Sequence, residues 1–268
     1  MSSILAKKNI PFYLKNIIFY FSFISIAFGS YYKKIFNIQD QGQIKDLSFE
    51  IEIDDMKKKI KPYFPLKSLD NFKIRVFWMK GGSFNIVLDS FPKGKKGIEN
   101  NLKLQVLEAV KVLFPSDKLK ELGKYYKIKK SGNRLVGVNE SLRRRKVVIG
   151  LNENGLIEKI ESYFPLNRLI ESYGYKKWNE KFLMVSKVEK SSIYKDNYVK
   201  NTSYQYSKIN GFTLPEKIEV IEEIKTRVNL KIKKEKINKF KNYIKFKNYK
   251  INKGNASNHF SRLIKDEK

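Results

Sequence analysis

Cysteine is absent from this 268-residue chain, and histidine occurs once, at His259. Without cysteine there is no disulfide, no thiolate nucleophile and no zinc site of the usual Cys/His kind. A lone histidine in a polar C-terminal stretch is most often solvated, so we do not expect it to act as a general base. The carboxylate pairs Asp54 with Asp55 and Glu222 with Glu223 are neighbours in sequence and would face apart on a strand. The sequence therefore predicts no enzyme, no metal site and no cofactor.

Arginine is scarce, although the chain is strongly basic. The net charge is +29, with 56 basic and 27 acidic residues, but only eight of the basic residues are arginine. A charge of this size is typical of nucleic-acid-binding proteins, yet arginine is the residue that reads bases and phosphates with a bidentate fork. We therefore interpret the lysines as a solvated surface and predict no nucleic-acid partner. An anionic membrane surface is the other candidate for a charged partner.

The N-terminus has the three parts of a secretory signal peptide. Lysines precede an apolar run over residues 17–28, which ends in small residues at Ala27 and Gly29. The run is too short to span a bilayer as a helix, which needs about 20 residues. We predict that residues 1–29 are a signal peptide cut after Gly29 and that the protein is periplasmic. An uncleaved anchor in the inner membrane is the alternative.

Alternation of apolar and polar residues predicts a mainly β protein. The longest alternating run covers residues 212–232, and a second covers residues 244–251. A phase break at Glu222 predicts a bulge or bend in the first run, and the second run has a phase slip of its own at Asn248. Two further runs flank Gly81 and predict a hairpin. Other predicted strands cover residues 47–53, 125–129, 135–138, 146–151, 156–163, 182–188 and 194–206.

Helical spacing appears in one insertion between these strands. Apolar residues from 98 to 113 recur at helical intervals, and Pro115 ends the pattern. Asp117 can cap a short second helix that runs to Gly123. We predict a linker over residues 30–44, one domain over residues 45–253 and a polar tail over residues 254–268.

The last strands carry a resemblance to a known family. The corner Gly211-Phe212-Thr213-Leu214-Pro215 and the ending Asn248-Tyr249-Lys250-Ile251-Asn252 resemble the closing strands of the periplasmic lipoprotein-carrier superfamily. That resemblance implies a mainly β (α+β) fold, in which a curved antiparallel half-barrel has helices covering its concave face and holds acyl chains. One feature differs from the family: the segment after the signal peptide is predicted to be a strand, whereas the mature carriers begin with a helix.

The resemblance and the alternation together give a candidate site. Inward-facing apolar side chains are expected to line a hydrophobic cavity: Phe72, Ile74, Val76, Trp78, Phe84, Ile86, Leu88, Leu102, Val106, Phe212, Leu214, Val228 and Leu230. Lid or headgroup candidates are Arg75, as a positional match to the carrier's lid-locking arginine, and the cluster Arg143, Arg144 and Arg145. That cluster is either a clamp for lipid phosphate or an acidic partner, or a solvated turn before a strand, which is the commoner case.

These features predict an exported, non-enzymatic and monomeric protein that binds lipids or lipoproteins and carries acylated cargo towards the outer membrane. The alternative is an envelope structural or protein-interaction module whose own side chains fill its core. Periodicity does not separate a lined cavity from an ordinary core.

Overall fold

The computed structural model describes residues 33–54, 56, 60–63, 71–81, 84–92, 94–115, 117–142, 144–193, 196–229 and 234–266. The predicted signal peptide lies outside these residues. The described strands form one antiparallel sheet, as the alternating pattern predicted. They are β1 (Asp46–Ile53), β2 (Lys73–Met79), β3 (Phe84–Asp89), β4 (Lys127–Ser131), β5 (Arg134–Val138), β6 (Lys146–Leu151), β7 (Ile157–Phe164), β8 (Asn167–Trp178), β9 (Lys181–Ile193), β10 (Asp196–Ile209), β11 (Phe212–Asn229) and β12 (Lys234–Ile251).

The sheet has 12 strands and is open, with β3 at one edge and β4 at the other. The strand order is β3-β2-β1-β12-β11-β10-β9-β8-β7-β6-β5-β4, so β12 returns to lie between β1 and β11. The chain passes from one edge to the other through α1 (Lys96–Val110) and α2 (Lys118–Gly123), and it ends in α3 (Asn255–Asp266). No helix among the described residues has both the length and the apolar character that a membrane crossing requires.

One face of the sheet carries most of the buried apolar side chains, and we call it the core face. Directly paired residues of antiparallel strands lie on the same face, so the pairings trace this face from edge to edge. It runs through Ile74, Ile51, Phe246, Ile218, Tyr204, Thr202, Lys187, Glu171, Ile160 and Ile149. The opposite face is called the outer face.

Two apolar clusters lie on the core face. The larger one joins β1, β2, β3, β11 and β12 to four buried side chains of α1, which are Leu102, Val106, Ala109 and Val110. The smaller one joins Val147, Ile149 and Ile160 to Leu119 of α2. Asp117 caps α2 by accepting a hydrogen bond from the Lys120 backbone N–H at 3.0 Å, as predicted.

The described part of the segment predicted to be a linker, residues 33–44, instead contributes to the core. Ile35, Phe36, Ile38 and Ile44 are all buried. The Phe36 N–H donates to the Phe182 carbonyl at 2.9 Å, and the Phe36 ring stands edge-on to Trp178 with centroids 4.9 Å apart. These short apolar side chains are too widely spaced for a periodic pattern, so the sequence did not reveal their burial.

The C-terminal tail also differs from its prediction, because it forms α3 on the outer face. The buried carboxylate of Asp46 accepts hydrogen bonds from the backbone N–H groups of Ala256 and Ser257. His259 is partly buried and packed on the sheet: its ring stacks on Phe77 with centroids 4.1 Å apart, and its Nε2 lies 3.0 Å from Asn85 Nδ2. The polar composition of the tail concealed a helix with one contacting side.

Most predicted strands and both predicted helices are present, with two differences among the described residues. The strand β8 was missed. The predicted irregularity near Asn248 is confirmed, since β12 has an extra residue there and Asn248 has φ of 55°. Of the bulge or bend predicted near Glu222, the bulge is wrong: pairing is regular there, and the register shifts at Gln205/Tyr206 instead. Glu222 sits beyond the apolar clusters, where both faces are partly exposed and a charged side chain is tolerated on either.

Candidate functional site

The apolar residues predicted to line a cavity are packed against one another. All but four of the thirteen are buried, and they belong to the larger apolar cluster with α1: Phe72, Ile74, Val76, Trp78, Ile86, Leu88, Leu102, Val106 and Leu214. Phe84 and Phe212 are partly buried and pack against the same cluster. The side chain of Val228, and Leu230 as a whole, lie outside the described residues. The structure therefore brings the described members of the predicted set together, in a closely packed arrangement.

The helix α1 is attached to this cluster by apolar contacts. Its ion pairs are internal: Lys103 Nζ lies 2.6 Å from Glu99, and Lys111 pairs with Glu108. Among the described residues no ion pair or side-chain hydrogen bond joins α1 to a strand. The residue before the helix, Lys95, makes no capping hydrogen bond with its side chain. Its attachment thus depends on the hydrophobic effect, which is not directional.

The C-terminal helix α3 is attached to the sheet differently from α1, through hydrogen bonds to Asp46 of β1. Asp46 Oδ2 accepts from Ser257 N at 2.7 Å and from Ser257 Oγ at 2.8 Å. A carboxylate at a helix N-terminus is favoured by the hydrogen-bond geometry and by the helix dipole. Specific polar contacts therefore fix α3, whereas α1 has none of this kind among the described residues.

A polar cluster separates the two apolar clusters on the core face, and we call it the central polar cluster. It consists of Glu171, Tyr173, Lys187, Glu189 and Tyr204. Lys187 Nζ lies 3.0 Å from Glu171 and 3.0 Å from Glu189, and the Tyr173 hydroxyl donates to Glu171 at 3.0 Å. These residues come from β8, β9 and β10, whose pairing places them on one face.

Burial and mutual attraction act in opposite directions on the pKa values of this cluster. Burial alone would raise the pKa of Glu171, but Lys187 and Lys118 lower it overall. Burial alone would lower the pKa of Lys187, but Glu171 and Glu189 raise it overall. Both groups are therefore held in their charged forms. Burial raises the pKa of Tyr204 to about 12, so its hydroxyl stays protonated at neutral pH.

Other tyrosine hydroxyls bond to the backbone at the end of the sheet near the Gly211 turn. Burial raises the pKa of Tyr206, whose hydroxyl donates to the Met184 carbonyl at 2.8 Å. The Tyr249 hydroxyl donates to the Pro215 carbonyl at 2.6 Å. No buried polar side-chain atom of the described residues lacks a hydrogen-bond partner. The core face is therefore polar at its centre but internally satisfied.

The three arginine candidates among the described residues lie on the outer face or in a loop. Arg75 is on the outer face, where its guanidinium pairs with Asp89 and lies 5.4 Å from the centroid of the Phe77 ring. Because α1 packs on the other face, this position of Arg75 does not favour a lid role, and that role stays a prediction. Arg144 and Arg145 lie in the loop between β5 and β6, and Arg143 is outside the described residues.

Two hollows are formed away from the predicted apolar lining residues, although Arg144 and Arg145 of the predicted arginine cluster line the first. One of about 410 Å³ lies between the β5–β6 loop and Pro165. The other, of about 530 Å³, lies mainly over the outer face of β5 to β9, where Gly150 and Gly174 leave space between Lys159, Glu161 and Ser186. No group of three or more potential metal-ligating side chains occurs among the described residues.

The central polar cluster was missed by reasoning from sequence, although one signal was present. Charged residues at Glu171, Lys187 and Glu189 fall on the inward phase of long strands, where apolar residues were expected. Such a phase conflict indicates either exposure or a paired polar network, and pairing is what the structure contains.

Comparison with protein-family models, curated proteins and solved structures finds no match for this chain.

Proposed function

We propose that this chain is an exported, non-enzymatic protein that binds acyl chains of lipids or lipoproteins on the core face of its sheet, beneath α1. In this proposal the sheet curves as a half-barrel with α1 and α2 over its concave side. The observation that carries it is the attachment of α1, which covers the largest apolar surface of the sheet through apolar contacts alone among the described residues.

The magnitudes make exchange of α1 for an acyl chain feasible. Burial of a Leu or Val side chain is worth about 1.5–3 kcal/mol and of an Ala methyl about 0.8 kcal/mol, so the one Leu, two Val and one Ala buried on α1 contribute roughly 5–10 kcal/mol before ordering costs. A 16-carbon acyl chain buries about 0.8 kcal/mol per methylene, or roughly 12 kcal/mol in all. An acyl chain can therefore replace the contacts that α1 gives up.

The central polar cluster suits the other end of such a ligand. An acylated molecule has an apolar chain next to ester or amide groups that need hydrogen bonds. The larger apolar cluster adjoins Tyr204 and Lys187 on the same face. In this proposal the acyl chain lies under α1, and the ester or amide group at its end forms a hydrogen bond with Tyr204 or Lys187. Because Lys187 already pairs with Glu171 and Glu189, its bond to a ligand would be weak and exchangeable, as suits a carrier.

A second candidate function has a specific observation in its favour. The predicted lining residues are closely packed in this structure, as expected of a protein-interaction module with a self-filled core. This alternative predicts that the core face binds nothing, because α1 remains in place.

Titration with a fluorescent fatty acid distinguishes the two functions, using the full chain and two variants of α1. Leu102→Ala with Val106→Ala removes buried contacts of the helix, whereas Leu104→Ala changes an exposed leucine of the same helix. If an acyl chain competes with α1, the double variant binds it at least about tenfold more tightly than wild type, because the competing contacts are weaker. The exposed variant should bind like wild type.

The contradicting result is a double variant that loses stability but binds no fatty acid. Mass spectrometry of lipid extracted from protein purified from the periplasmic fraction provides an independent test. Recovery of acyl species with wild type supports the carrier. Recovery of none, with no binding by either variant, supports the self-filled module.

A further inference from the structure

One corner of the sheet exposes an unusual set of apolar side chains. Tyr125, Val138, Leu142 and Leu166 are between 43% and 75% exposed. They meet there because β4 begins at Lys127, β5 ends at Val138, β6 begins at Lys146 and β7 ends at Phe164, all at the same end of adjacent strands. We call this set the tip surface. Single exposed apolar residues are ordinary, but contiguous ones mark interaction sites.

The loop that carries Leu142 is held in place. Asn139 Oδ1 accepts from the Leu142 N–H at 2.7 Å, and Asn139 Nδ2 donates to the Tyr125 carbonyl at 2.9 Å. The Arg145 N–H donates to the Leu142 carbonyl at 2.8 Å. Leu166 lies in the two-residue turn between β7 and β8. Leu142 is therefore exposed in a loop whose described residues are hydrogen-bonded, and Leu166 is exposed in a turn flanked by the Phe164–Asn167 pair.

Positive charge surrounds the tip surface. Arg144 and Arg145 are exposed, and within the described residues neither has a carboxylate partner. Arg145 lies over the Phe164 ring, 5.8 Å from its centroid. The nearby carboxylates are engaged: Glu140 is 3.0 Å from Lys127, and Glu161 pairs with Arg168. The two free guanidinium groups flank the hollow between the loop and Pro165.

We propose that the tip surface docks the protein on an anionic lipid bilayer. Leu142 and Leu166 enter the interface, while Arg144 and Arg145 meet lipid phosphates. Protruding apolar tips beside unpaired arginines fit a deformable, negatively charged surface. An acidic protein would offer charge but would need a matching pocket for each tip. This inference does not rest on acyl binding by the core face, and either can fail without the other.

A tryptophan placed at the tip tests the proposal locally. In the full chain, Leu166→Trp provides a probe whose emission shifts to the blue on entering a bilayer. The signal of unchanged protein, which contains the buried Trp78 and the partly buried Trp178, is subtracted. Vesicles of phosphatidylglycerol and phosphatidylcholine are titrated in. Adding Arg144→Gln and Arg145→Gln should raise the lipid concentration for half-maximal shift by about 20- to 30-fold, since each basic residue contributes roughly fivefold.

The matched control removes the same charge elsewhere. Lys129→Gln with Lys130→Gln alters exposed residues of β4 towards the opposite end of that strand. This control should change the half-maximal lipid concentration by less than about threefold, since the lysines lie away from the tips. An equal effect of the lysine and arginine pairs would overturn the proposal in favour of a general lysine coat. Absence of a blue shift on anionic vesicles would also overturn it, as would an equal shift caused by soluble polyglutamate.

Discussion

The carboxylate of Asp46 is predicted to control the docking of α3. It is 4% exposed and accepts three hydrogen bonds from the first turn of the helix: from Ala256 N at 3.3 Å, from Ser257 N at 2.7 Å and from Ser257 Oγ at 2.8 Å. The asparagine variant keeps one accepting oxygen but loses the charge and the longest bond. The alanine variant loses all three bonds and leaves the helix donors without this partner.

The expected losses form a graded series. Ser257→Ala removes one hydroxyl bond and should cost about 1 kcal/mol of unfolding free energy. Asp46→Asn should cost about 1–2 kcal/mol, the usual range for losing a charged cap. Asp46→Ala should cost about 3 kcal/mol, because buried donors lose a charged acceptor. Urea unfolding followed by circular dichroism measures each value.

His259 provides a local readout, because it is the single histidine of the chain. Burial lowers the pKa of His259, and the charges of Arg75 and Arg262 lower it further. A lowered folded pKa means that the stabilising contribution is present above the unfolded value of about 6.5 and is lost as pH falls through the folded value. In an NMR titration, wild type should show a pKa below 6.5.

Asp46→Ala should return the pKa of His259 towards 6.5, because the undocked helix exposes the imidazole. The control is Asp54→Asn, which removes an exposed carboxylate paired with Lys245 and should change neither the stability by more than about 0.5 kcal/mol nor the His259 titration. An Asp46→Ala protein with wild-type stability and an unchanged His259 titration would refute this account of α3.

Three further predictions concern the core face. Gly137→Ala should lower the free energy of unfolding by about 1–3 kcal/mol, because the added Cβ would lie 2.6 Å from Val147 Cγ1. In the same urea assay, Gly150→Ala should be near neutral, because the nearest atom to its added Cβ would be 3.8 Å away. Leu102→Ala should cost about 2–5 kcal/mol and Leu104→Ala less than about 0.5 kcal/mol; equal costs would contradict the packing of α1. Glu171 has a lowered pKa, so its contribution to the free energy of unfolding is present above pH about 4.5 and is lost as pH falls. The stability difference between wild type and Glu171→Gln should therefore shrink below that pH. A difference that stays constant with pH would contradict the pairing of Glu171 with Lys187.

Local alternation was sufficient to predict the mainly β class and most strands. It succeeded where one face is buried, as at Phe49 and Ile51 of β1 or Val76 of β2. It failed at β8, where Glu171 is buried and its neighbours on both faces are half-exposed. A single layer with partial burial on both sides imposes no strict period, so the pattern carries little information there.

Contacts distant in sequence were beyond prediction. The burial of Phe36 depends on Trp178 and Phe182, and the docking of α3 depends on Asp46, about 210 residues away along the chain. Neither relation leaves a periodic trace. The described apolar residues of the candidate site do lie together, in the larger apolar cluster. Whether they enclose a cavity or fill the core depends on the position of α1, which the spacing of apolar residues in the sequence does not encode.

The central claim is that an acyl chain occupies the core face beneath α1. Photolabelling with a fatty acid that carries a diazirine near its tail, followed by peptide mass spectrometry, tests it most directly. The account predicts adducts on the buried side chains of β1 and β2 that α1 covers in this structure, around Phe49 and Val76, and competition by unlabelled fatty acid. Adducts confined to the outer face or α3, or no competed labelling at all, would contradict it.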